Sequence, residues 1–583
     1  MKSPNILLCQ DILLEVLSHL APGKPDSTGV DDDVTHARRS KCRSALVACA
    51  KVSKTMSQHA LNVLWAELDG LDPILQFFPG YQRRRGSQPL NTIRGVISAD
   101  DWLRLQSYAS RVRSLTIPHH TLDHLSVWSF LAKHCAGVPL FSDLRVLDAY
   151  DITDRQVAPL LLVLCPSLRD VAISFEGGRS GSGALPDIMG SVLQTLALTA
   201  PQLKVLNLLG DHSLDREHLL YLGRFTSIQE IVFGHQFQFD ETVLHSISKI
   251  PTLRDLTIAV RLQRLGRGET RALDFGGGFR GLRSLGLRGK SKDLSAVVVA
   301  ISAPGLEWLT LDFVDSVGVN SLEVPLADIA SHIPDTIAHY SCTFCAPLSP
   351  LPVALADLLQ QLLSKMPNLV AFNLLSEKSP LSVTNNDLVR VGDAWPKLDH
   401  LNIRQWANRY NLKVVRRPTV SGLAQLAMRC PKLEDVSLPE LDISKAAEPR
   451  GIPFLDHRLK ELLFQSVSNA PQGAQHEAAV AIDMVFPHLM LHRMRPAPAV
   501  GGSTRTSTPW VNVWKTLQLM RLGRYNHMLR ETGAESAVPK VPEMPVDRED
   551  RAPGIYANGV QIAPGPDLDD EPSESGGSEF EFF

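Results

Sequence analysis

Aromatic residues make up only 6% of this 583-residue chain, and its eight cysteines are thinly scattered. Cys9, Cys42, Cys49, Cys135, Cys165, Cys342, Cys345 and Cys430 are too few for a disulfide-stapled scaffold and suit buried thiols in a reducing compartment. No apolar run reaches the ~20 residues that a membrane-spanning helix needs. Asp11 and Glu15 interrupt the Ile6-Leu7-Leu8 start from which a secretory leader would have to grow. Neither sign of charge is in excess: the net charge is −3 and the pI about 6.7, which removes the usual ground for a nucleic-acid partner. The one basic run, Arg83-Arg84-Arg85, is isolated and reads as a solvated loop. These absences lead to the expectation of a cytoplasmic or nuclear protein with no membrane and no nucleic-acid partner.

What is present is apolar and periodic. The chain is 44% hydrophobic and 21% charged, and it is too long for one ordinary core, so it is several domains or an extended array. A phrase of apolar residue, two variable, apolar, one variable, apolar recurs as Leu168-x-x-Val171-x-Ile173, Leu203-x-x-Leu206-x-Leu208, Leu253-x-x-Leu256-x-Ile258, Leu306-x-x-Leu309-x-Leu311, Leu398-x-x-Leu401-x-Ile403 and Leu433-x-x-Val436-x-Leu438. Proline stands two residues ahead of each, at 166, 201, 251, 304, 396 and 431. Weaker copies start at Val112, Leu144, Ile228, Leu282, Ile337, Leu369 and Leu459, making thirteen with successive starts 24 to 35 residues apart. Such a period marks a solenoid, in which each unit buries its apolar edge against its neighbours.

The last three apolar positions of each copy predict a short strand, with Leu206 and Leu208 inward and Val205, Asn207 and Leu209 outward. Helical spacing is expected over Thr153–Leu164, Pro352–Lys365, Asn386–Trp395 and Ser421–Met428, each ended by the following proline. On these residues the stretch from about 110 to 465 resembles the leucine-rich repeat, especially its cysteine-containing variety, with Ser421 to Leu438 the fullest copy and Leu164-Cys165-Pro166 an echo of it. Copy lengths are uneven, so the expected horseshoe is irregular. Gly177 to Gly183, Arg261 to Gly281 and Ala407 to Pro418 read as insertions, and Gly501 to Pro509 as a linker. Beyond it Trp510, Trp514, Leu517, Tyr525 and Met528 share one helical face, as a docking or capping helix would. The tail, proline-rich from Pro539 and then acidic, is expected to be disordered.

Residues 6 to 78 do not follow the repeat and predict three short helices too small to bury their apolar faces well alone. Leu8, Asp11, Val16-Leu17, Val52-Ser53, Trp65 and Leu68 follow the order and spacing by which this segment resembles an F-box, particularly those at the head of fungal, basidiomycete-type F-box proteins. Cys9 stands where that family has proline, Met56 where an early tryptophan often lies, and the loop 21–42 is long. The resemblance implies a substrate-recognition subunit of an SCF-type cullin–RING ubiquitin ligase, with no active site and no cofactor: the head docks on a Skp-type adaptor and through it a cullin, and the repeats bind a protein target. Leu8, Ile12, Leu13, Val16, Leu17, Leu20, Leu46, Val52 and Trp65 are the adaptor-binding residues it implies. The alternative is a leucine-rich-repeat scaffold with a degenerate F-box and no ligase role.

The resulting α/β organisation is an F-box-like helical domain (1–78), a junction (79–110), a repeat solenoid (111–495), a linker with an amphipathic helix (496–538) and an acidic tail (539–583). Residues beside the buried strand positions line the expected concave face, and Tyr150, Asp170, Asp255, Arg288, Trp308, His400, Arg404 and Asp435 are the target-binding candidates. Tyr150 and Trp308 lead, since large aromatics contribute most per residue at interfaces. Three motifs mimic other chemistry. Gly276-x-Gly278-x-x-Gly281 fits a dinucleotide fingerprint by letters but precedes a strand instead of following one. Gly289-Lys290-Ser291 lacks the earlier P-loop glycine, having Ser284 in its place. Cys342-x-x-Cys345 near His332 and His339 could hold zinc, but Cys342 falls on an apolar repeat position and reads as a buried thiol. No catalytic and no metal site is expected.

Overall fold

The computed structural model describes residues 10–532 apart from 24–32, 84–90, 94–96, 119–124, 177–184, 263–272, 317, 350, 407–414, 445–451, 469 and 492–507, and in addition 556–557 and 560–561. The insertion at 177–183 lies outside the described residues, as do 263–272 of the second insertion, 407–414 of the third, nearly all of the linker and nearly all of the tail read as disordered.

Among the described residues fourteen parallel strands run in one sheet in chain order: β1 Glu67–Leu68, β2 Ser114–Ile117, β3 Val146–Ile152, β4 Asp170–Phe175, β5 Val205–Gly210, β6 Glu230–Phe233, β7 Asp255–Val260, β8 Ser284–Gly289, β9 Trp308–Phe313, β10 His339–Phe344, β11 Ala371–Ser376, β12 His400–Gln405, β13 Asp435–Leu441 and β14 Glu461–Val467. A fifteenth, Gln238–Phe239, pairs beside β7. From β2 onward every strand starts two residues after the first apolar position of a copy read from the sequence. The protein is therefore an α/β leucine-rich-repeat solenoid, with an additional opening strand: Glu67 and Leu68, inside the stretch read as the helical head, pair with Ser114 and Leu115.

The repeat phrase builds each rung in a fixed way. The residue before a strand offers its carbonyl to two successive N–H groups of the next repeat, as Arg169 does to Lys204 and Val205 at 2.7 and 3.0 Å. Leu203, Leu206 and Leu208 then point inward and are fully buried, each worth roughly 1.5–3 kcal/mol relative to exposure. Hydroxyls in the turn after proline tie one repeat to the last: Ser167 donates to the Leu144 carbonyl at 2.8 Å, Thr252 to Ile228 at 2.6 Å and Thr336 to Leu306 at 2.7 Å. Cys165 and Cys430 fill the same inner layer, their thiols against the Leu144 and Trp395 carbonyls.

Helices return the chain on the other side. Asn385–Ala394 and Val420–Arg429 fall within a residue of expectation. Thr153–Leu164 is instead a 3-10 turn, Asp154–Gln156, followed by a helix over Val157–Leu161. Within Pro352–Lys365 only Leu355–Leu359 is helical, because Val353–Ala354 spends its backbone groups pairing with Leu381–Ser382. At the far end the helix Thr508–Thr532 closes the core with Trp510, Val513, Trp514 and Leu517, all buried. Trp510 meets the Phe464 ring edge-on at 5.1 Å, and Trp514 donates its indole N–H to the Leu491 carbonyl at 3.0 Å. Tyr525 is half-buried, and the Met528 side chain lies outside the described residues. No described helix is long and apolar enough to cross a membrane.

Candidate binding face and helical head

Helices α1 (Gln10–Ser18), α2 (Asp33–Ala50) and α3 (Lys54–Leu64) form the head, and Ser53 caps α3 by accepting the Met56 N–H at 3.2 Å. The head keeps a small core of its own, Leu17, Leu46 and Ala60, with Leu20, Cys49, Ala50, Val63 and Leu64 packed round it. It is tied to the start of the sheet by the buried Arg39, whose Nη2 donates to both carboxylate oxygens of Asp69 at 2.6 Å. The candidate adaptor contacts divide accordingly. Leu13, Leu17 and Leu46 are buried at 4%, 1% and 0% exposure, so they hold the helices together and present no surface. Ile12, Val16 and Val52 stand out at 44%, 56% and 69%, joined by Val47. Leu20 is half-buried, and Leu8 lies outside the described residues. Trp65 belongs to the joint between head and solenoid, 5.4 Å from the Phe77 ring and 4.9 Å from Tyr108.

Alternation along the strands leaves a second, open face, and register fixes its neighbours. Its first-position row runs Asp170, Val205, Glu230, Asp255, Ser284, Trp308, His339, Ala371, His400, Asp435, Glu461, each paired with the next. The row thus brings together Asp170, Asp255, Trp308, His400 and Asp435. Trp308 is 44% exposed and lies flat on His339, ring centroids 3.5 Å apart and planes within 7°. Burial, with a smaller effect of His400 and against the pull of Glu307, pushes His339 down, which favours the neutral ring under Trp308. Burial, then the carboxylates of Asp255 and Asp170, pushes Glu230 up. His400 meets Asp435 at 2.8 Å and Asp399 at 3.6 Å. Burial raises Asp435, against the pull of His400 and with the help of Glu461, Glu434 and Asp399.

Further along the strands Arg288 pairs with Asp312 at 3.7 Å, and Arg404 donates to the Ser437 hydroxyl at 3.4 Å. Tyr150 stands apart at 39% exposure, where β3 shifts register against β4 and Asp151 takes a left-handed φ of 54°. The eight target-binding candidates therefore all sit on strands of the sheet, five in one row, two nearer the strand ends and Tyr150 at the irregularity.

The mimics resolve structurally. Gly276 and Gly277 make a left-handed turn ahead of β8. Gly289-Lys290-Ser291 does join a strand to the helix Ser291–Ala300, but Asp315 already holds that helix start, accepting from the Ser291 N–H and hydroxyl at 2.9 and 2.8 Å. Gly289 is required for close packing: a Cβ there would come within 2.7 Å of the Val260 carbonyl. Burial pushes the Cys342 thiol far up and, with smaller charge effects, Cys345 to about 12, which opposes the thiolate that zinc needs. The residues that could hold a metal lie elsewhere, in a trio the sequence reading did not weigh: Asp187, Asp215 and His218, with ligand atoms within 4.8 Å on the helical side, both aspartates exposed. Also unweighed were the residues just ahead of each strand.

No family model matches the chain, and no curated protein matches it. Among solved structures it is similar to the complex of Rad7 and Elc1 in yeast, at 12% identity over 75% of this chain and 94% of that one, with a TM-score of 0.31. It is similar also to the leucine-rich-repeat-containing protein LegL7 from Legionella pneumophila, at 12% identity over 69% and 96%, with a TM-score of 0.26. At these scores the fold assignment rests on the sheet and its register.

Proposed function

We propose that this chain is the non-catalytic substrate-recognition subunit of an SCF-type ubiquitin ligase, working in the cytoplasm or nucleus. The head docks on a Skp-type adaptor and through it a cullin, and the open face of the solenoid binds a protein target. The observation that carries this reading is the head itself: three helices with a minimal core, fixed to the first strand by Arg39 and Asp69, leave Ile12, Leu14, Val16, Val47 and Val52 uncovered. Isolated exposed apolar side chains are ordinary, but five on one small helical unit make an adhesive surface. The target's transfer chemistry belongs to the assembly, and the chain's contribution is proximity.

Co-purification with a Skp-type adaptor is the test. Leu17→Asp is unsuitable because it would unfold the head. Ile12→Asp with Val16→Asp leaves the core intact and places two charges on the proposed contact. Capture by wild type and its loss in the double variant, with unchanged helix content, is the expected result. Absence of capture by wild type, or equal capture by both, overturns the reading.

A further inference from the structure

The residue immediately ahead of each strand forms a row of its own, because its backbone N–H bonds to the carbonyl of its counterpart one repeat earlier. Arg145 donates to Arg113 at 2.8 Å, Arg169 to Arg145 at 2.8 Å, Lys204 to Arg169 at 2.7 Å, Gln229 to Lys204 at 2.7 Å, Arg254 to Gln229 at 2.8 Å and Arg283 to Arg254 at 2.7 Å. Six of seven consecutive rungs therefore carry a cation. Beyond Arg283 the row runs through Glu307, Ala338, Val370, Asp399 and Glu434 to Lys460, which is paired with Glu434. At ~4.8 Å per rung the cationic stretch is ~29 Å long.

These side chains are available. Arg145, Arg169, Lys204, Arg254 and Arg283 are exposed and Arg113 is half-buried. The end members are engaged, Arg113 with Asp143 at 3.1 Å and Arg283 with Glu307 at 3.8 Å. Among the described residues no ion pair involves Arg145, Arg169 or Lys204. The carboxylates of Asp170, Glu230 and Asp255 stand one residue further along and belong to the open face; with Asp143 and Glu307 at the ends, the least compensated part of the row is its middle, at Arg145, Arg169 and Lys204. A linear row of like charges fits an extended strand of the opposite sign.

The chain contains a run of the opposite charge. Asp567, Asp569, Asp570, Glu571, Glu574, Glu579 and Glu581 lie within fifteen residues, and no lysine or arginine follows Arg551. Thr532 ends the helix seated beside β14, and the 34 residues between Thr532 and Asp567 can span up to ~115 Å. From β14 the nearest cation of this stretch, Arg283, is six strand spacings away, ~29 Å, and the farthest, Arg113, twelve, ~58 Å. Tethering raises the local concentration of such a segment to the millimolar range. We propose that the acidic segment 567–581 lies along the cationic rim from Arg113 to Arg283. This assignment stands independently of any ligase role.

Lys204 is the only lysine among the six, which makes a direct test available. The full chain is treated with a zero-length carbodiimide at low salt, and joined peptides are identified by mass spectrometry. The expected product is an amide between Lys204 and a carboxylate of 567–581. Its yield should drop at least about fivefold in Arg145→Glu/Arg169→Glu/Arg254→Glu, and again in wild type at 0.5 M salt, where the screening length is only a few ångströms. Lys397 and Lys432, on later repeats, serve as comparators. Equal joining of the tail to those lysines, or an unchanged yield in the triple variant, overturns the proposal. Pairs formed mainly between isotopically distinct chains overturn it too, since the occupant is then a second copy. Should the triple variant lose its helix content, Asp567→Asn/Asp569→Asn/Asp570→Asn/Glu571→Gln alters the tail alone and must reduce the joining at the remaining carboxylates, Glu574, Glu579 and Glu581.

Discussion

Two glycines show how differently single residues bear on this solenoid. Gly289 ends β8 with the Val260 carbonyl 2.7 Å from where a Cβ would sit and the Leu294 side chain at 3.2 Å. Backbone cannot yield as a flexible side chain does, so Gly289→Ala should destabilise by ~1–3 kcal/mol, as overpacking generally does. Gly473 lies in the helix Gln472–Val485 with nothing within 4 Å of its missing Cβ. There alanine only removes backbone freedom, and Gly473→Ala should stabilise by ~0.5–1 kcal/mol. Urea midpoints of the two variants check both signs, and a neutral Gly289→Ala would mean that the turn into the helix Ser291–Ala300 is looser than drawn. The head teaches a related lesson about single residues. Ile12 and Val16 form one stripe of α1 and Leu13 and Leu17 the next, so apolar spacing alone could not say which stripe faces in. Only the packing against Leu46 and Ala60 settles it.

Among elements, the parallel strands were legible because their phrase is long and its inward positions are apolar in every copy. β1 was not, since two residues leave no period and Trp65 and Leu68 had already been claimed by the helical head. The cationic rim was legible only after register had aligned Arg113, Arg145, Arg169, Lys204, Arg254 and Arg283. In sequence they stand up to 50 residues apart, with Gln229 interrupting. Register also sets Glu230 directly opposite Asp255, and like charges so placed are destabilising by a few tenths to ~1 kcal/mol, toward the lower end for half-exposed groups. Glu230 is raised in the folded chain, chiefly by burial and then by its acidic neighbours, so folding favours its protonated form. The stability this provides is full below the ordinary carboxylate range and is lost as pH rises through the raised value. Glu230→Gln should therefore raise the thermal midpoint at pH 7 and leave it nearly unchanged near pH 4. A midpoint that moves equally at both would assign the effect to lost packing instead of charge.

On the scale of the whole molecule, a solenoid has no single centre, and each rung is held only by its neighbours. The last rung, β14, has a neighbour on one side and the helix Thr508–Thr532 on the other. Trp510 and Leu517 are 2% and 0% exposed there, and Asp483 binds Arg524 as well. Truncating both apolar side chains removes roughly 2–5 kcal/mol each from that contact, more than one terminal rung can spare. The loss should remain local. In Trp510→Ala/Leu517→Ala, amide exchange should accelerate first across Glu461–Val467 and Gln472–Val485, next in Asp435–Leu441, and hardly at all from Val146 to Val260. Uniform acceleration along the sheet would instead show one cooperative unit, and would remove the nearest-neighbour account. Local loss would also separate two roles of the C-terminal region, since the helix would then stabilise the end of the solenoid while the acidic segment beyond it addresses the rim at the other.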